Sequence, residues 1–450
     1  MKDKILLYLS LLSLCVLCFV AGAATMHFKP GYIQSIKNGF IGAEGLNDAK
    51  QEPVVKTGRR KVFIPYKPLP AVVSGVEGKY YSGYTLINTS FSATVQLIDD
   101  HGKVLHSWNA PFKKAWPKEP AFVVMRNNLK DIETAYVFSN GDLIVQYTGV
   151  ASTPYGYGIA VYDKNSRLLW KLSENAHHDI YISPDETAIY GITQTFAKYP
   201  LNGYEYLYYP QLIDSIVKLS RNGEVLDRIS ITDAFKDTEH AKLFKQLSDN
   251  HVKRWNSEVW DAFHTNSIQV LEKDFAPRFS GFSAGDYLIS LRNTTIVAVI
   301  DHNTKKVKWS MCCQWGGQHS PRFTRNGTIM LFDNEGVEKA GTRYSRILEI
   351  EPVTKKVSLV YEGNENNPFY TETRGRLQPL PNGNVLIVDS NNSRVFEINK
   401  KGEVVWNYKT LDTDKRFNAG ISYVQRYSKD QLKFLNEKTI QPATRIEKKN

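Results

Sequence analysis

Three of the ten histidines occupy matching places along the chain, and their chemistry is the most informative in the sequence. His178 opens HHDIYISPDE, His264 lies in WDAFHTNSIQV and His319 lies in GGQHSPRFTRNG. Each comes just before a β-rich run that leads into a turn and a second strand. An imidazole titrates near neutral pH and serves as a nucleophile, a proton carrier or a metal ligand. A lone histidine is usually structural, but three at matching places favour one shared functional site.

Arg292 is the cation that stands out beside these histidines. In LISLRNTTIV the alternation of a strand puts Leu288, Ser290 and Arg292 on one face. Because a buried guanidinium is costly without an anion, we expect Arg292 to pair with a carboxylate or to await an anionic substrate. Asp333 and Asn334, in MLFDNEG, predict a structural turn, with support of the site as the alternative.

A repeated unit that begins near Pro70 must position these residues. Each copy has a β-rich run, a polar turn and a second run that often ends in Trp, a pattern typical of a β-hairpin. Six copies are visible, and they end at Trp108, Trp170, Ile229, Trp309, Leu359 and Trp406. We interpret the Trp residues as packing groups that complete each unit.

A second recurring pattern, a turn followed by one more strand, lies between the hairpins, as in SNGDLIVQY, SPDETAIYGI, AGDYLISL, RNGTIMLF and PNGNVLIV. Each unit therefore has about four strands, and the copies are spaced by about 47 to 62 residues, with one interval of about 80. The sequence predicts an all-β fold, a six-bladed β-propeller over residues 71–426, whose innermost strands bring the three histidines to the central channel. Helical spacing between Asp233 and Trp255 predicts a small helical insertion in the long interval.

Composition agrees with a large β-rich fold. The 450 residues are 42% hydrophobic and 23% charged, which excludes a disordered, collagen-like or polytopic membrane protein for the bulk of the chain. Aromatic residues, at 12%, favour pleated half-buried surfaces. The formal net charge of +11 is diffuse, so we expect no nucleic-acid partner. Two of the four cysteines fall in the folded part, which excludes a disulfide scaffold.

The N-terminal segment predicts export. Two lysines precede an apolar run from Ile5 to Ala24 that is long enough to cross a bilayer. Its length favours an uncleaved signal anchor, whereas the small residues at its end fit a cleaved signal peptide, so residues 1–25 have both interpretations. Because positive residues stay cytoplasmic, the rest of the chain is expected on the periplasmic side of the inner membrane, or in the periplasm after cleavage. We expect residues 26–70 to form a linker or stalk and residues 427–450 a basic C-terminal tail.

These motifs, taken in order from about Ile98 to Trp406, resemble the bacterial-type arylsulfotransferase family. The most specific matches are the His-x-Asn-Ser box that starts at His264, the Ser-x-Arg strand that ends at Arg292, and Gln-His319 followed by Phe-Asp-Asn. The resemblance implies a six-bladed propeller that moves a sulfuryl group from a phenolic sulfate ester to a phenol. It also implies that neither a cofactor nor a nucleotide sulfate donor takes part.

By this resemblance His319 is the nucleophile that becomes transiently sulfated, in a ping-pong reaction. His264, His178 and Arg292 match the other catalytic positions of the family. Arg292 is suited to stabilise the charge on the peripheral sulfate oxygens. The other two histidines are expected to bind sulfate oxygens or to carry the proton of the phenol, a step generally worth about 10²- to 10⁴-fold in rate.

For the substrate we expect Asn266, in the same box as His264, to line the pocket. Tyr155 and Phe263 are expected to contact the phenol ring. Further aromatic side chains near the blade ends are weaker candidates, most of them interpreted as packing residues: Tyr157, Phe196, Tyr204 and Tyr206.

The chain departs from the family in three respects. Well-known bacterial members carry an N-terminal β-sandwich, whereas about 45 residues separate the apolar run from the first strands here, so the resemblance gives no support to their homodimer and leaves the oligomeric state open. Cys312 and Cys313 are adjacent, which predicts free thiols or a vicinal disulfide instead of the spaced disulfide of some members. The segment EKDFAPRFSGFS looks like an insertion, and we expect it to reshape the pocket.

Two other functions remain open from the residues alone. The chain could be a non-catalytic propeller that binds a ligand or a partner, because the fold hosts many unrelated functions. His178, His264 and His319 could instead hold a catalytic metal ion in a hydrolase, since three histidines are a common metal set. Water could also replace the phenol as the acceptor, which would make the reaction a sulfate-ester hydrolysis.

Overall fold

The computed structural model describes residues 71–90, 92–118, 130–149, 154–248, 259–410 and 420–436, together with the backbone of strands β1 (Val54–Thr57) and β2 (Arg60–Phe63). These two strands, within the predicted linker, pair with each other. The apolar run that we interpret as an anchor or signal peptide lies outside the described residues. No helix in the described part of the chain is long and apolar enough to cross a membrane.

From Ala71 onward the chain forms six antiparallel sheets, the blades of a propeller, and this confirms the predicted fold. Blade 1 contains, from the inner to the outer edge, β27 (Ile421–Tyr427), β4 (Tyr84–Thr89), β5 (Thr94–Ile98) and β6 (Val104–Asn109). Blade 2 contains β7 (Lys130–Val137), β8 (Leu143–Gly149), β9 (Gly156–Tyr162) and β10 (Leu168–Leu172). Blade 3 contains β11 (His177–Ile182), β12 (Ala188–Ala197), β13 (Gln211–Ser220) and β14 (Val225–Ser230).

The remaining three blades repeat this order. Blade 4 contains β15 (Thr265–Val270), β16 (Tyr287–Leu291), β17 (Ile296–Ile300) and β18 (Val307–Met311). Blade 5 contains β19 (His319–Phe323), β20 (Ile329–Lys339), β21 (Thr342–Ile350) and β22 (Val357–Glu362). Blade 6 contains β23 (Arg376–Pro379), β24 (Val385–Asp389), β25 (Arg394–Ile398), β26 (Val404–Thr410) and β3 (Ala71–Gly75). The innermost strands of neighbouring blades contact one another, so they form a closed ring around the axis.

Strands from both ends of the propeller sequence complete the ring of blades. β27, near the C-terminus, is the innermost strand of blade 1 and pairs with β4 from the N-terminal part. β3 pairs with β26 and adds a fifth strand to the outer edge of blade 6. Strands near the two ends of the propeller are thus hydrogen-bonded into sheets that the rest of the chain completes.

Tryptophans on outer strands join each blade to the next. The indole N–H of Trp108 in β6 donates to Gly141 O in a blade 2 turn, at 3.0 Å. Trp309 in β18 reaches Pro352 O in blade 5, at 2.9 Å, and Trp406 in β26 reaches Asp100 O in blade 1, at 2.8 Å. Apolar clusters fill the spaces between neighbouring blades. The Trp that ends four of the six repeated units therefore joins neighbouring blades as well as packing its own sheet.

The described residues include three short α-helices, α1 (Phe112–Ala115), α2 (Ile231–Phe235) and α3 (His240–Leu247). The predicted helical insertion corresponds to α2 and α3, and residues 249–258 lie outside the described part. The hydroxyl of Ser230 accepts a hydrogen bond from Asp233 N and caps α2. α3 buries Phe244 against the apolar cluster between blades 3 and 4. Three 3₁₀ helices also occur, at Ala276–Arg278, Ser390–Asn392 and Lys433–Leu435.

Two segments differ from expectation. The insertion EKDFAPRFSGFS links β15 to β16 at the end of the channel away from the histidines, where Glu272 and Phe275 line a second cavity of about 870 Å³. It therefore does not reshape the histidine site. In the predicted C-terminal tail, Leu432 and Phe434 are buried among the residues of blades 1 and 2, so the folded part extends beyond β27. Residues 437–450 lie outside the described part.

The adjacent cysteines form the vicinal disulfide that was one of the two sequence-based alternatives. Cys312 and Cys313 directly follow β18, in the connection that leads to β19 and His319. Cys312 packs against the apolar cluster between blades 3 and 4, and Cys313 has a left-handed backbone, with φ of +73°.

The tryptophan contacts between blades predict a graded stability effect. Trp406→Phe removes the indole N–H and leaves Asp100 O without that buried donor, so the free energy of unfolding should fall by about 2 kcal/mol. Trp170→Phe is the matched control, because Trp170 makes the same type of bond, to Arg221 O at 3.2 Å, from a half-buried position. Urea denaturation of the purified variants measures both. An equal loss of unfolding free energy in the two variants would contradict a larger contribution from the buried contact of Trp406 between blades 6 and 1.

Candidate active site

A cavity of about 280 Å³ lies at the end of the central channel where the innermost strands begin. Each of the six innermost strands contributes a residue from its first four positions to the wall. These residues are Glu133, His178, Asn266, His319, Arg376 and Ser422. The convergence of matching positions that the repeat predicts therefore occurs in the structure, and it collects polar side chains from all six blades.

The innermost strands are distorted where they meet this cavity. The pairing register shifts near the start of β11, β15 and β19, as at a β-bulge. His178 and His264 have φ of +60° and +50°, and Ser320, next to His319, has φ of +52°. Such left-handed residues are uncommon outside glycine and cluster at functional sites. The bulges interrupt the alternation of the strands, so side chains reach the cavity that a regular strand would direct into the sheet packing.

His319 is held by two acceptors at one ring nitrogen. Its Nδ1 lies 2.8 Å from Gly317 O and 2.8 Å from Asn334 Oδ1. The amide N–H groups of Asn334 donate to Thr371 O and Arg374 O, which fixes the Asn334 oxygen toward the imidazole. Because both partners of Nδ1 are acceptors, Nδ1 carries the proton and Nε2 keeps a lone pair.

The surroundings keep this imidazole neutral. Burial and the nearby cation of Arg292 lower the pKa of His319 to about 3, against the bonds to Asn334 and Gly317, which act to raise it. A histidine that is neutral at physiological pH, with a defined lone pair at Nε2, is a competent nucleophile. Of our two interpretations of Asp333 and Asn334, the structural turn is wrong, whereas the contact of Asn334 with His319 agrees with the alternative, support of the site. Both continue β20, which lets Asn334 face His319 across the blade.

His264 is oriented by a carboxylate three residues earlier. Its Nδ1 donates to Asp261 Oδ2 at 2.7 Å, and its backbone N–H donates to Asp261 Oδ1 at 3.2 Å. Asp261 is fully buried. This arrangement fixes the orientation of the His264 ring in the cavity wall.

His178 and Tyr155 lie next to His264 in the cavity wall. The ring centroids of His178 and His264 are 4.8 Å apart, and Tyr155 lies 5.2 Å from His178 and 5.3 Å from His264. The backbone N–H of His178 donates to Glu133 Oε2 at 3.0 Å, and its Nδ1 contacts the Nδ1 of His177 at 2.8 Å. The three histidines of the sequence pattern therefore share one cavity with an aromatic neighbour.

Arg292 supplies a positive charge that has no anion beside it. Among the described residues, no carboxylate lies within ion-pair distance of its guanidinium, whose one recorded side-chain contact is Asn293 Oδ1 at 3.4 Å. Burial lowers its pKa, while the more distant Glu335 and Asp261 act to raise it. Of the two sequence-based alternatives, the geometry favours a cation that awaits an anionic substrate.

The predicted substrate-contacting residues have different positions. Tyr155 and Asn266 line the cavity. Asn266 donates its amide N–H to Gln318 O at 2.8 Å, and its own buried Oδ1 makes no hydrogen bond within the described residues. Phe263 does not line the cavity. It is fully buried in the segment before β15 and stacks on Phe244 of α3, with ring centroids 4.7 Å apart.

Sequence reasoning missed several residues of this site. Arg374 lines the cavity and pairs with buried Asp131 at 2.7 Å. Asp261 and Glu133 are the carboxylates that orient His264 and His178. The one available signal was positional, since Arg374 comes just before the innermost strand of blade 6, as His264 does in blade 4.

The geometry gives no support to a metal site built from the three histidines. Among the described residues, one group of three side chains brings its possible ligand atoms within 4.8 Å of one another. It consists of Asp286, Asp301 and His302, which lie outside the cavity. Lys308 already pairs with both of its carboxylates, at 3.1 and 2.8 Å. The cavity histidines do not bring their nitrogens together in this way.

Comparisons with known proteins give one strong match. The sequence profile of the arylsulfotransferase (ASST) family matches residues 135–410, more than half of the chain. No curated protein sequence matches significantly. Among solved structures, a protein of unknown function from Bacteroides caccae is 15% identical, with a TM-score of 0.47, over 76% of this chain and 98% of its own. A catalytically inactive virginiamycin B lyase from Staphylococcus aureus, solved with quinupristin, is 8% identical, with a TM-score of 0.39, over 77% and 90%.

The lowered pKa of His319 predicts its behaviour in acid. An unperturbed histidine, with a pKa of about 6.5, is mostly protonated at pH 5. His319, with a pKa of about 3, should remain neutral there. NMR of the histidine-labelled protein should therefore show no change in the His319 ring signals between pH 8 and pH 5. Arg292→Met removes the cation that helps to lower this pKa, so the titration should move to higher pH. Titration of His319 near pH 6.5 in the parent protein would contradict the assigned environment.

Proposed function

The chain belongs to the arylsulfotransferase family, and from this premise we propose that it transfers a sulfuryl group from a phenolic sulfate ester to a phenol through a sulfated His319. The observation that carries the proposal is the combination, in one cavity, of an uncharged imidazole with a lone pair at Nε2 and a guanidinium without an anionic partner among the described residues. A neutral nucleophile beside an unpaired cation suits attack on an anionic ester.

The first half-reaction sulfates the enzyme. His319 Nε2 attacks the sulfur, the sulfur–oxygen bond to the aryl group breaks, and the phenoxide leaves with a proton supplied by the site. Sulfuryl transfer resembles phosphoryl transfer, in which catalysis consists mainly of positioning and of stabilising charge on the peripheral oxygens. Arg292 supplies that positive charge, and the bond from His319 Nδ1 to Asn334 Oδ1 orients the ring and stabilises the cation that forms as Nε2 becomes substituted.

The second half-reaction returns the enzyme to its starting state. The acceptor phenol gives its proton to the site and attacks the sulfur, and the bond between sulfur and Nε2 breaks. The proton taken from the acceptor replaces the one given to the first phenoxide, so the cycle balances without a nucleotide sulfate donor. His264 and His178 bind sulfate oxygens or carry this proton, and Tyr155 packs beside the phenol ring.

This proposal predicts transfer from a chromogenic aryl sulfate to a simple phenol that disappears in His319→Ala. An acid-labile mass increment of one sulfuryl group should accumulate on the parent protein when donor is given without acceptor. His264→Ala should retain the nucleophile but lose about 10²- to 10⁴-fold in rate.

His302→Ala is the matched control, because His302 also pairs with an aspartate, at 3.0 Å, outside the cavity. Its activity should equal that of the parent. Donor cleavage that is independent of added phenol would indicate hydrolysis with water as the acceptor. A folded protein that cleaves no donor in a broad panel would contradict catalysis and favour a ligand-binding propeller.

We further propose that the propeller works outside the cytoplasm, either anchored in the inner membrane by residues 1–25 or released into the periplasm. The apolar run after two lysines supports export, since it has the length and flanking charge of a signal segment. The vicinal disulfide supports it independently, because disulfides persist in oxidising compartments.

The two forms of this localisation predict different masses. An uncleaved anchor leaves the full chain in the membrane fraction after alkaline extraction, whereas cleavage yields a soluble periplasmic protein that begins near residue 25. Intact mass spectrometry of the fractionated protein, expressed in a bacterium with two membranes, separates them. Full-length soluble protein in the cytoplasm would contradict export.

A further inference from the structure

We propose that His178 exchanges the phenol proton and that His177 and Asp214 form a relay behind it, which stores the positive charge of that proton away from the sulfuryl group. This inference rests on the proposed transferase function and deepens it by separating the roles of His178 and His264. The sequence pattern did not single out His177, because its neighbour His178 occupies the position that matches His264 and His319.

The relay is a line of contacts that leads from the cavity into the protein. Nδ1 of His178 lies 2.8 Å from Nδ1 of His177, and Nε2 of His177 lies 3.4 Å from Asp214 Oδ1. His177 and Asp214 are both 0% exposed, whereas His178 lines the cavity. Asp214 also accepts hydrogen bonds from the side chain of Gln194 at 3.1 Å and from Thr265 N at 2.7 Å. The carboxylate of Asp214 therefore lies where it can compensate a positive charge on the buried His177 ring.

The contact between the two imidazoles requires one shared proton, because two lone pairs or two N–H groups would repel each other. Two arrangements satisfy it. In the first, Nδ1 of His178 carries the proton, and Nε2 of His178 has a lone pair that accepts a proton. In the second, Nδ1 of His177 carries the proton, and Nε2 of His178 carries a second proton that it donates. The two arrangements are the base and acid forms that the two half-reactions need.

The proton transfer balances between them. The acceptor hydroxyl gives its proton to Nε2 of His178, and the proton on Nδ1 of His178 moves to Nδ1 of His177. His177 then carries protons on both nitrogens, and its charge is compensated by Asp214. In the donor half-reaction the same steps run backward, and the proton goes to the phenoxide whose bond to sulfur has broken.

The surroundings of His178 favour moving this charge inward. The charged or titratable groups that face the two rings are Glu133 from β7, Asp214 from β13, Tyr155, His264 and Arg376. Glu133 Oε1 lies 3.9 Å from Nε2 of His178, and Arg376 donates to the carbonyl oxygen of His178 at 2.5 Å. Each ring therefore has a carboxylate nearby, but a cation kept at His178 would add to the positive charge of Arg292 and Arg376 in the cavity, whereas His177 lies behind the cavity wall, 3.4 Å from Asp214.

Geometry also separates His178 from His264. The charge of His264 acts to lower the pKa of His319, and the ring of His178 contacts the ring of His264, with centroids 4.8 Å apart. In an in-line displacement, the leaving oxygen lies on the side of sulfur opposite the nucleophile. His264, beside His319, is therefore suited to the peripheral sulfate oxygens, and His178, beyond it, is suited to the leaving oxygen.

The test compares donors whose phenols differ in acidity. His177→Asn keeps an acceptor near Nδ1 of His178 but has no second nitrogen to reach Asp214. In a ping-pong reaction kcat/KM for the donor reports the first half-reaction alone. This value should fall about 10-fold or more for phenyl sulfate, whose phenoxide needs a proton, and should change by less than about threefold for 4-nitrophenyl sulfate. His302→Asn, which alters a histidine-aspartate pair outside the cavity, should change neither rate.

Asp214→Asn provides a second, independent readout. Because a carboxylate favours a cationic imidazole, its loss should move the basic limb of kcat/KM for the donor to lower pH by about one unit. In the parent protein itself, nitrogen NMR of labelled histidines should show a coupling between the Nδ1 atoms of His177 and His178 through the shared proton, which needs no variant to fold.

The outcomes separate the relay from the transferase. A parent enzyme that transfers sulfuryl groups, with His177→Asn equally slow or equally fast on both donors, would overturn the relay and leave the transferase intact. Absence of the coupling between the two Nδ1 atoms would likewise overturn it. A parent enzyme that transfers from neither donor would overturn the proposed function, and the relay with it.

Discussion

The buried carboxylate of Asp179 is the contact on which the centre of the propeller depends. Its Oδ1 accepts from Arg376 at 2.7 Å, and its Oδ2 accepts from Arg322, Ser267 and Ile268 N at 3.0 to 3.1 Å. Burial alone would raise its pKa, but the two guanidinium groups hold it below the usual range. One side chain of blade 3 thus joins blades 4, 5 and 6. A buried charge of this kind is tolerated because every lone pair is satisfied, and removing one partner would leave the others unpaired in the interior.

The Asp179 network separates the histidine cavity from the second cavity of the channel. Arg376 lines both the histidine cavity and the larger cavity at the opposite end, so the Asp179 network lies between them and forms the floor of the site. Around it, the motif residues bond to one another across blades. Asn266 donates to Gln318 O, and the side chain of Gln318 donates to Ser290 Oγ and Leu291 O. The residues that most resemble the family are therefore largely the ones that fix the spacing of the inner strands.

Much of the fold follows from the sequence because each blade is a local structure. Hairpin turns, alternating strands and a closing Trp recur within about 60 residues, and each can be read without knowledge of the others. Placement of the histidines at the channel followed from their matching positions. Phe263 lies in the segment before β15, where strand alternation does not predict its direction, and Arg374 and His177 act through partners on other strands or blades. Contacts between repeats leave no periodic signal, so the supporting residues could be found only in three dimensions.

The rigidity of the ring has a chemical consequence at Arg292. An unpaired guanidinium in a cavity costs stability, and a flexible site would relieve that cost by moving a carboxylate toward it. Here the backbone around the cation is tied down, since Arg292 N donates to His264 O at 3.1 Å and Arg292 O accepts from Thr295 N at 3.2 Å. Of the acids that act on the pKa of Arg292, Asp261 is held by His264, and Glu335 lies beyond ion-pair distance. The closed propeller therefore keeps the positive charge available for an anionic ester, and the stability that this costs is supplied by the packed interfaces between blades.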